Sequence, residues 1–288
     1  MLPGERDETV LFRLPGAVVR AALVVMLVVM PYALLPNKTD DSTTIIALAA
    51  VFAALFTIVE YSVSSPSLVE FRDAPPFNRV RFAALFATVL SLSVIFRGAQ
   101  EPTSISTFFE NSGTQIGLAI DFPYSPVRLM LDLMPEGTDP ALLDRMRDAA
   151  GLSYLLVSFS VIWFVILLRM YRWPRRTEAF NVWVNLPTFD PTSGGDVVKR
   201  LRRDARFNVL LGLAVPFLAP GVIHLIGAFG TPINLDSTQT LIWTIAAWAF
   251  LPANLLMRGI AISRIAYMID LQRRRAYGDR SVGVRRYV

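Results

Sequence analysis

Cysteine is absent from the 288-residue chain, and histidine occurs once, at His224. The first absence excludes disulfides, thiolate nucleophiles, iron–sulfur clusters and zinc-thiolate sites. The second leaves no histidine cluster for a transition metal, so only carboxylates could hold an ion, and then a hard one. No cofactor or metal is expected. There is no Ser-His-Asp order, no HExxH and no carboxylate-histidine cluster, so no residue is assigned a catalytic role and an enzyme reading is unsupported. Lysine is also nearly missing: Lys38 and Lys199 stand against 26 arginines. Together with spans built from Ala, Val and Leu, this bias suggests a bacterial source.

What the chain has is apolar length. Hydrophobic side chains make up 53% of it, in blocks about 20 residues long, the length that crosses a hydrocarbon core of about 30 Å. The expected spans are 16–35, 43–63, 80–96, 151–168, 209–229 and 240–257. The first is read as an uncleaved span, because no small-residue cleavage site follows it. Threaded in alternation, these blocks place 23 of the 28 Lys and Arg residues on one face, which the positive-inside rule makes cytoplasmic. The expectation is an all-α integral membrane protein. It would be one polytopic domain of about six helices with interfacial amphipathic helices, both termini cytoplasmic, in a bacterial inner membrane.

Three extramembrane regions stand out. The outer excursion 98–148 carries eight acids against three arginines, yet holds too many apolar residues for a free loop and is expected to pack as a lid. Within it, Tyr124 to Met134 reads as a short interfacial helix with an Arg128–Asp132 pair at i,i+4. Thr138-Asp139-Pro140 reads as a helix start running into the fourth span. The loop 169–206 is basic, and its part after Ser193-Gly194-Gly195-Asp196 has the pattern of an amphipathic helix leading into the fifth span. The tail 258–288 repeats the basic theme. Lys199, Arg200, Arg202, Arg203, Arg273, Arg274 and Arg275 are the candidate contacts to anionic headgroups. A basic folded module for nucleic acid is not seen, and none is expected as a partner. The shorter basic-side loop 65–79, with its prolines and mixed charges, is expected to be a turn lying on the headgroups.

Inside the spans four residues are candidates for function. Glu60 is the acid within a span, a turn from its cytoplasmic end. His224 lies near the outer end of the fifth span, which also carries Pro216 and Pro220. Asn254 and Arg258 follow Pro252 in the sixth. Proline frees backbone carbonyls, and such helices can build transport sites, but neighbouring side chains can equally satisfy the carbonyls. Small residues at i,i+4, Ala49 with Ala53, Ala50 with Ala54, and Ala83, Ala87 and Ser91, suggest close helix seams. The favoured function is a non-enzymatic scaffold, assembly factor or accessory subunit, with a membrane-protein partner or a second copy. A small-solute or lipid transporter using spans five and six is the alternative.

Overall fold

The computed structural model describes residues 3–36, 40–64, 66–72, 76–135, 137–171, 173, 185–190, 192, 194–228 and 237–284. Among them the chain is helical throughout: α1 (Pro3–Leu34), α2 (Asp40–Ser62), α3 (Phe77–Gly98), α4 (Ser104–Ile120), α5 (Pro126–Leu131), α6 (Pro140–Met170), α7 (Val197–Ala228) and α8 (Thr238–Val284). Six of these, all but α4 and α5, are long and apolar enough to cross a membrane. The fold is an all-α membrane bundle. Polar side chains within the spans are satisfied locally, as hydrocarbon requires: the hydroxyls of Thr88, Ser91, Ser93 and Ser153 each donate to the carbonyl four residues back, at 2.7–2.8 Å.

At the centre, α3, α6 and α8 pack on one another. Val89, Leu92, Val157, Phe164, Ile242, Ile245, Ala246 and Met257 fill the space between them and are buried. On one side α1 leans on α3, and α2 packs chiefly on α1 among the described helices; on the other, α7 packs along α8. Only 11% of the most apolar window of α2 is buried, against 50% for α3 and α8. The α1–α2 seam is built from Ala17 and Ala21 against Ile46, Ala50 and Thr57. Ala50 therefore serves as the spacing suggests, whereas Ala49 and Ala83 are exposed.

The excursion is ordered against the bundle, and its main element, α4, is a helix that the apolar count alone does not reveal. Thr103 caps it by accepting from the Ser106 amide at 3.1 Å. It packs on the first half of α6 through glycine: a methyl at Gly113 would meet the Asp148 carbonyl at 2.9 Å, one at Gly117 the Arg147 carbonyl at 2.9 Å, and one at Gly151 the Gly117 backbone at 2.6 Å. This is the small-residue approach of membrane helices, where packing replaces the hydrophobic effect. Asp139 caps α6 with Pro140 in its first turn, and α6 runs unbroken into its span, as expected. The expected Arg128–Asp132 pair does not form. α5 ends at Leu131 with Asp132 as its cap, and Arg128 turns to Asp121, with Nε at 2.8 Å from Oδ1 and Nη2 at 2.8 Å from Oδ2. One hydrogen bond, Nη2 to Oδ2, and the close approach of Nε hold the guanidinium on this largely buried carboxylate.

Candidate functional site: the charged closure at the basic end

The start of α1, the α2–α3 loop, the segment around Trp173 and Asn185, and the far half of α8 meet at one end of the bundle. The loop, expected to be a turn on the headgroups, keeps Leu68 exposed while Phe71 and Arg72 are buried. Its amides are gathered by Glu60: Ser67 N at 3.1 Å, Leu68 N at 3.0 Å and Val69 N at 3.0 Å all donate to Oε2, and the Ser67 hydroxyl donates to Oε1. Glu60 is 4% exposed. A buried carboxylate surrounded by amide donors is satisfied without a counter-ion.

The reverse contact comes from Arg72. Its guanidinium donates to the carbonyls of Glu60 (3.1 Å), Val63 (2.5 Å) and Ser64 (3.2 Å), the unpaired end of α2. A cation there also meets the negative end of the helix dipole. Between these anchors Phe71 takes a left-handed backbone (φ 53°) and is 1% exposed. That conformation costs a bulky residue on the order of 1–2 kcal/mol. It is held by the Phe71 amide donating to the Asn185 carbonyl (2.7 Å) and by Asn78 Nδ2 donating to the carbonyls of Glu70 (2.9 Å) and Phe71 (3.2 Å). The ring packs on Phe77, 4.3 Å between centroids, and edge-on to Trp173 at 5.9 Å. Phe77 in turn meets Phe164 at 5.6 Å.

Next to Phe71, Glu70 grips Arg258 with both oxygens, at 2.7 Å to Nε and 2.9 Å to Nη2. Arg258 Nη1 also reaches Asp204 Oδ1 at 3.2 Å. The same Asp204 oxygen accepts from Asn208 Nδ2 at 2.9 Å, and Glu70 Oε1 accepts from Thr188 at 2.9 Å. Arg81 stacks on the Phe77 ring, 4.9 Å to the centroid, and donates to Asn78 Oδ1 at 3.3 Å. The side chains of Glu70 and Arg258 are 12% and 21% exposed. Two carboxylates and two guanidiniums thus knit the α2–α3 loop, α3, α7 and α8 together. Both oxygens of Glu70 and Oδ1 of Asp204 are engaged by these donors.

The four candidates are therefore not convergent. Glu60 and Arg258 share one closure but face different groups. Asn254 lies deeper in α8, with a buried Oδ1 that has no hydrogen-bond partner among the described residues. His224 belongs to α7, and its side chain lies outside the described residues. The prolines bend no helix out of register: α7 continues through Pro216 and Pro220, and α8 through Pro252. Pro220 cannot donate to the Pro216 carbonyl, and Trp248 Nε1 does so instead at 3.2 Å. The satisfying group is an indole across the helix pair, not the Asn254 amide.

Of the seven headgroup candidates, four are engaged within the protein. Arg202 Nη2 lies 2.9 Å and Arg274 Nη2 3.3 Å from Asp270 Oδ2, Arg273 Nη1 lies 2.6 Å from Asp196 Oδ1, and Arg200 Nη2 donates to the Asp190 carbonyl at 2.9 Å. Lys199, Arg203 and Arg275 have no ion-pair partner among the described residues. Asp196 caps α7 by accepting from the Val198 amide at 3.2 Å, and the Arg273 guanidinium holds its carboxyl below the usual range. Glu70, Arg72, Asp204 and Asn208 escape sequence reasoning. The one signal pointing to them is Arg258 itself, since an arginine inside an apolar helix demands a partner.

Among the described residues no three acids or histidines gather to hold a metal ion. Fold and closure define the class, an all-α multi-pass membrane protein. No family model, curated protein or solved structure matches this chain.

Proposed function

We propose that this protein is a non-enzymatic accessory subunit or assembly factor of a membrane complex, with its basic end in the cytoplasm of a bacterial cell and its α1–α2 hairpin as the partner-facing wing. The observation that carries the reading is the asymmetry of packing. Among the described helices α2 packs chiefly on α1 and presents Ile45, Leu48, Phe52, Leu55 and Val59 outward, with Phe52 73% exposed. These five positions follow an a/d spacing, the register in which one helix seats along another. Lipid covers such a face in a monomer; a helix from another membrane protein covers it in a complex. The packed centre and the saturated closure also favour adhesion over passage of a solute. The transport alternative keeps one observation in its favour, the unpartnered buried amide oxygen of Asn254.

Purification of the full chain in mild detergent, with identification of copurifying membrane proteins, tests the reading. A stoichiometric partner retained by the native protein and lost on combined Leu48→Ala and Phe52→Ala substitution is the expected result. A lone monomer under the same conditions, with saturable solute binding abolished by Asn254→Ala, would establish the alternative instead.

A further inference from the structure

At the basic end Arg202, Arg258, Arg273 and Arg274 each reach a carboxylate; two arginines on α1 do not. Arg13 and Arg20 are a heptad apart on one stripe of α1, both exposed. Arg20 lies inside the first span among exposed Leu14, Val18, Val19 and Leu23. Its guanidinium does not point outward into that apolar collar. It folds back along α1 toward the basic end, where Nη1 donates to the Gly16 carbonyl at 2.7 Å, and it lies over the Tyr61 ring of α2, 4.7 Å from the centroid. Gly16 makes this possible, because a methyl there would meet Nη1 at 2.8 Å. Arg13 reaches into the same α1–α2 groove, with Nη1 at 3.5 Å from the Val63 carbonyl.

A charge in a lipid-facing position is costly, and snorkelling to the headgroup region is how long side chains relieve it. Folding back brings the head of Arg20 to the level of Gly16, so the two guanidiniums come to lie about one turn apart along the axis, rather than the two turns that separate their Cα atoms. Neither has an acidic partner among the described residues, and each keeps N–H groups unspent. Two guanidiniums on one groove at headgroup depth suit a phosphate, which a fork of N–H donors grips in two places. We propose that Arg13 and Arg20, with Tyr61 as the wall, form a binding site for the phosphate of an anionic phospholipid in the leaflet at the basic end. The site is independent of any partner on the outer face of α2. It is also distinct from the arginines of α7 and α8, of which Arg202, Arg273 and Arg274 are held by Asp270 and Asp196.

The test is native mass spectrometry of the full chain released from nanodiscs of phosphatidylcholine with or without phosphatidylglycerol. The expected result is selective retention of phosphatidylglycerol, weakened about fivefold by Arg20→Gln and about fivefold by Arg13→Gln. Arg97→Gln, on a partly exposed arginine at the opposite end of the bundle that is paired with Glu101, should change it little. Inorganic phosphate at millimolar concentration should not displace the lipid. Equal retention of phosphatidylcholine, indifference to Arg20→Gln, or displacement by phosphate would each overturn the proposal, the last by making the free anion the ligand. Photo-crosslinking of a phosphatidylglycerol analogue to the unsubstituted protein covers the case in which a variant fails to insert. Adducts concentrated at 13–20 and 56–63 support the site, and adducts spread evenly over the helices refute it.

Discussion

The two flanking hairpins are held together by opposite means. α1 and α2 meet chiefly through alanines and a few aliphatic side chains, with Tyr32 to Thr43 and Arg20 over Tyr61 as polar contacts, and one side of α2 is exposed. α7 and α8 are locked at three depths. A methyl at Gly212 would strike the Pro252 carbonyl at 2.9 Å, and one at Gly259 the Ala205 carbonyl at 2.8 Å, so the two backbones touch reciprocally. Trp248 ties to Pro216 across the same seam, and beyond it Arg258, Arg202 and Arg273 bridge to Asp204, Asp270 and Asp196. α8 is 47 residues long, about 70 Å, so much of this ion-paired stretch extends past a 30 Å core into water. The difference teaches where specificity is stored: one hairpin is completed by its own side chains, whereas the other leaves a face for lipid or a neighbour to complete.

The sharpest way to break this comparison is at Arg258. Arg258→Ala leaves Glu70 and Asp204 as two carboxylates without their cation, in a closure whose Glu70 side chain is 12% exposed. The expected loss is on the order of 3 kcal/mol, read as earlier unfolding in a detergent titration, because an uncompensated charge there costs more than the pair contributes. Arg258→Lys should recover only part of it, since an ammonium cannot reproduce the two-toothed grip on Glu70. A silent Arg258→Ala would mean that the closure is ornamental and that Phe71 alone seals the end.

Gly259→Leu and Gly212→Leu come next, at about 1–3 kcal/mol each, because backbone carbonyls as well as the Val209 and Leu256 side chains stand in the way. The matching change on the other hairpin, Leu48→Ala, should leave stability within about 0.5 kcal/mol, since the side chain is exposed. Equal destabilisation by both would show that α2 is packed after all. Trp248→Phe keeps the ring surface and removes the donor to Pro216, for an expected loss of about 0.6–1 kcal/mol.

Much of this was legible in the sequence, and what was not has a common cause. The six spans follow from apolar length, and the start of α6 from Asp139 and Pro140, because those signals are local. α4 is shorter than a span and mixes Asn111 and Gln115 with its apolar residues, so it passes for loop; the Gly113 and Gly117 spacing was the available clue. The pairing of Glu70 with Arg258 bridges 188 residues, and nothing in either neighbourhood names the other. The left-handed Phe71 is likewise set by distant groups, Asn185 and Trp173, and no local preference would place a phenylalanine there.

The smallest expected effect concerns pH and the far end of the α7–α8 hairpin. Arg273 holds the Asp196 carboxyl below its ordinary 3.8, and the Val198 amide adds to this. A carboxyl with a depressed folded value contributes stability that is fully present above its unfolded value and is lost as pH falls through the folded one. The α7–α8 junction should therefore loosen only below about pH 4, and neutral conditions should hide the pair. Asp196→Asn isolates the charge, because the amide oxygen can still cap Val198 while the attraction to Arg273 is gone. At pH 7 the variant should unfold almost as the native protein does, the pair being half exposed and screened. As pH falls below about 4 the native protein should converge on the variant, most visibly as faster amide exchange around Val197 to Leu201. Identical acid profiles for the two would place the acid-sensitive hold on this hairpin elsewhere, with Asp270, which faces both Arg202 and Arg274, as the group to substitute next.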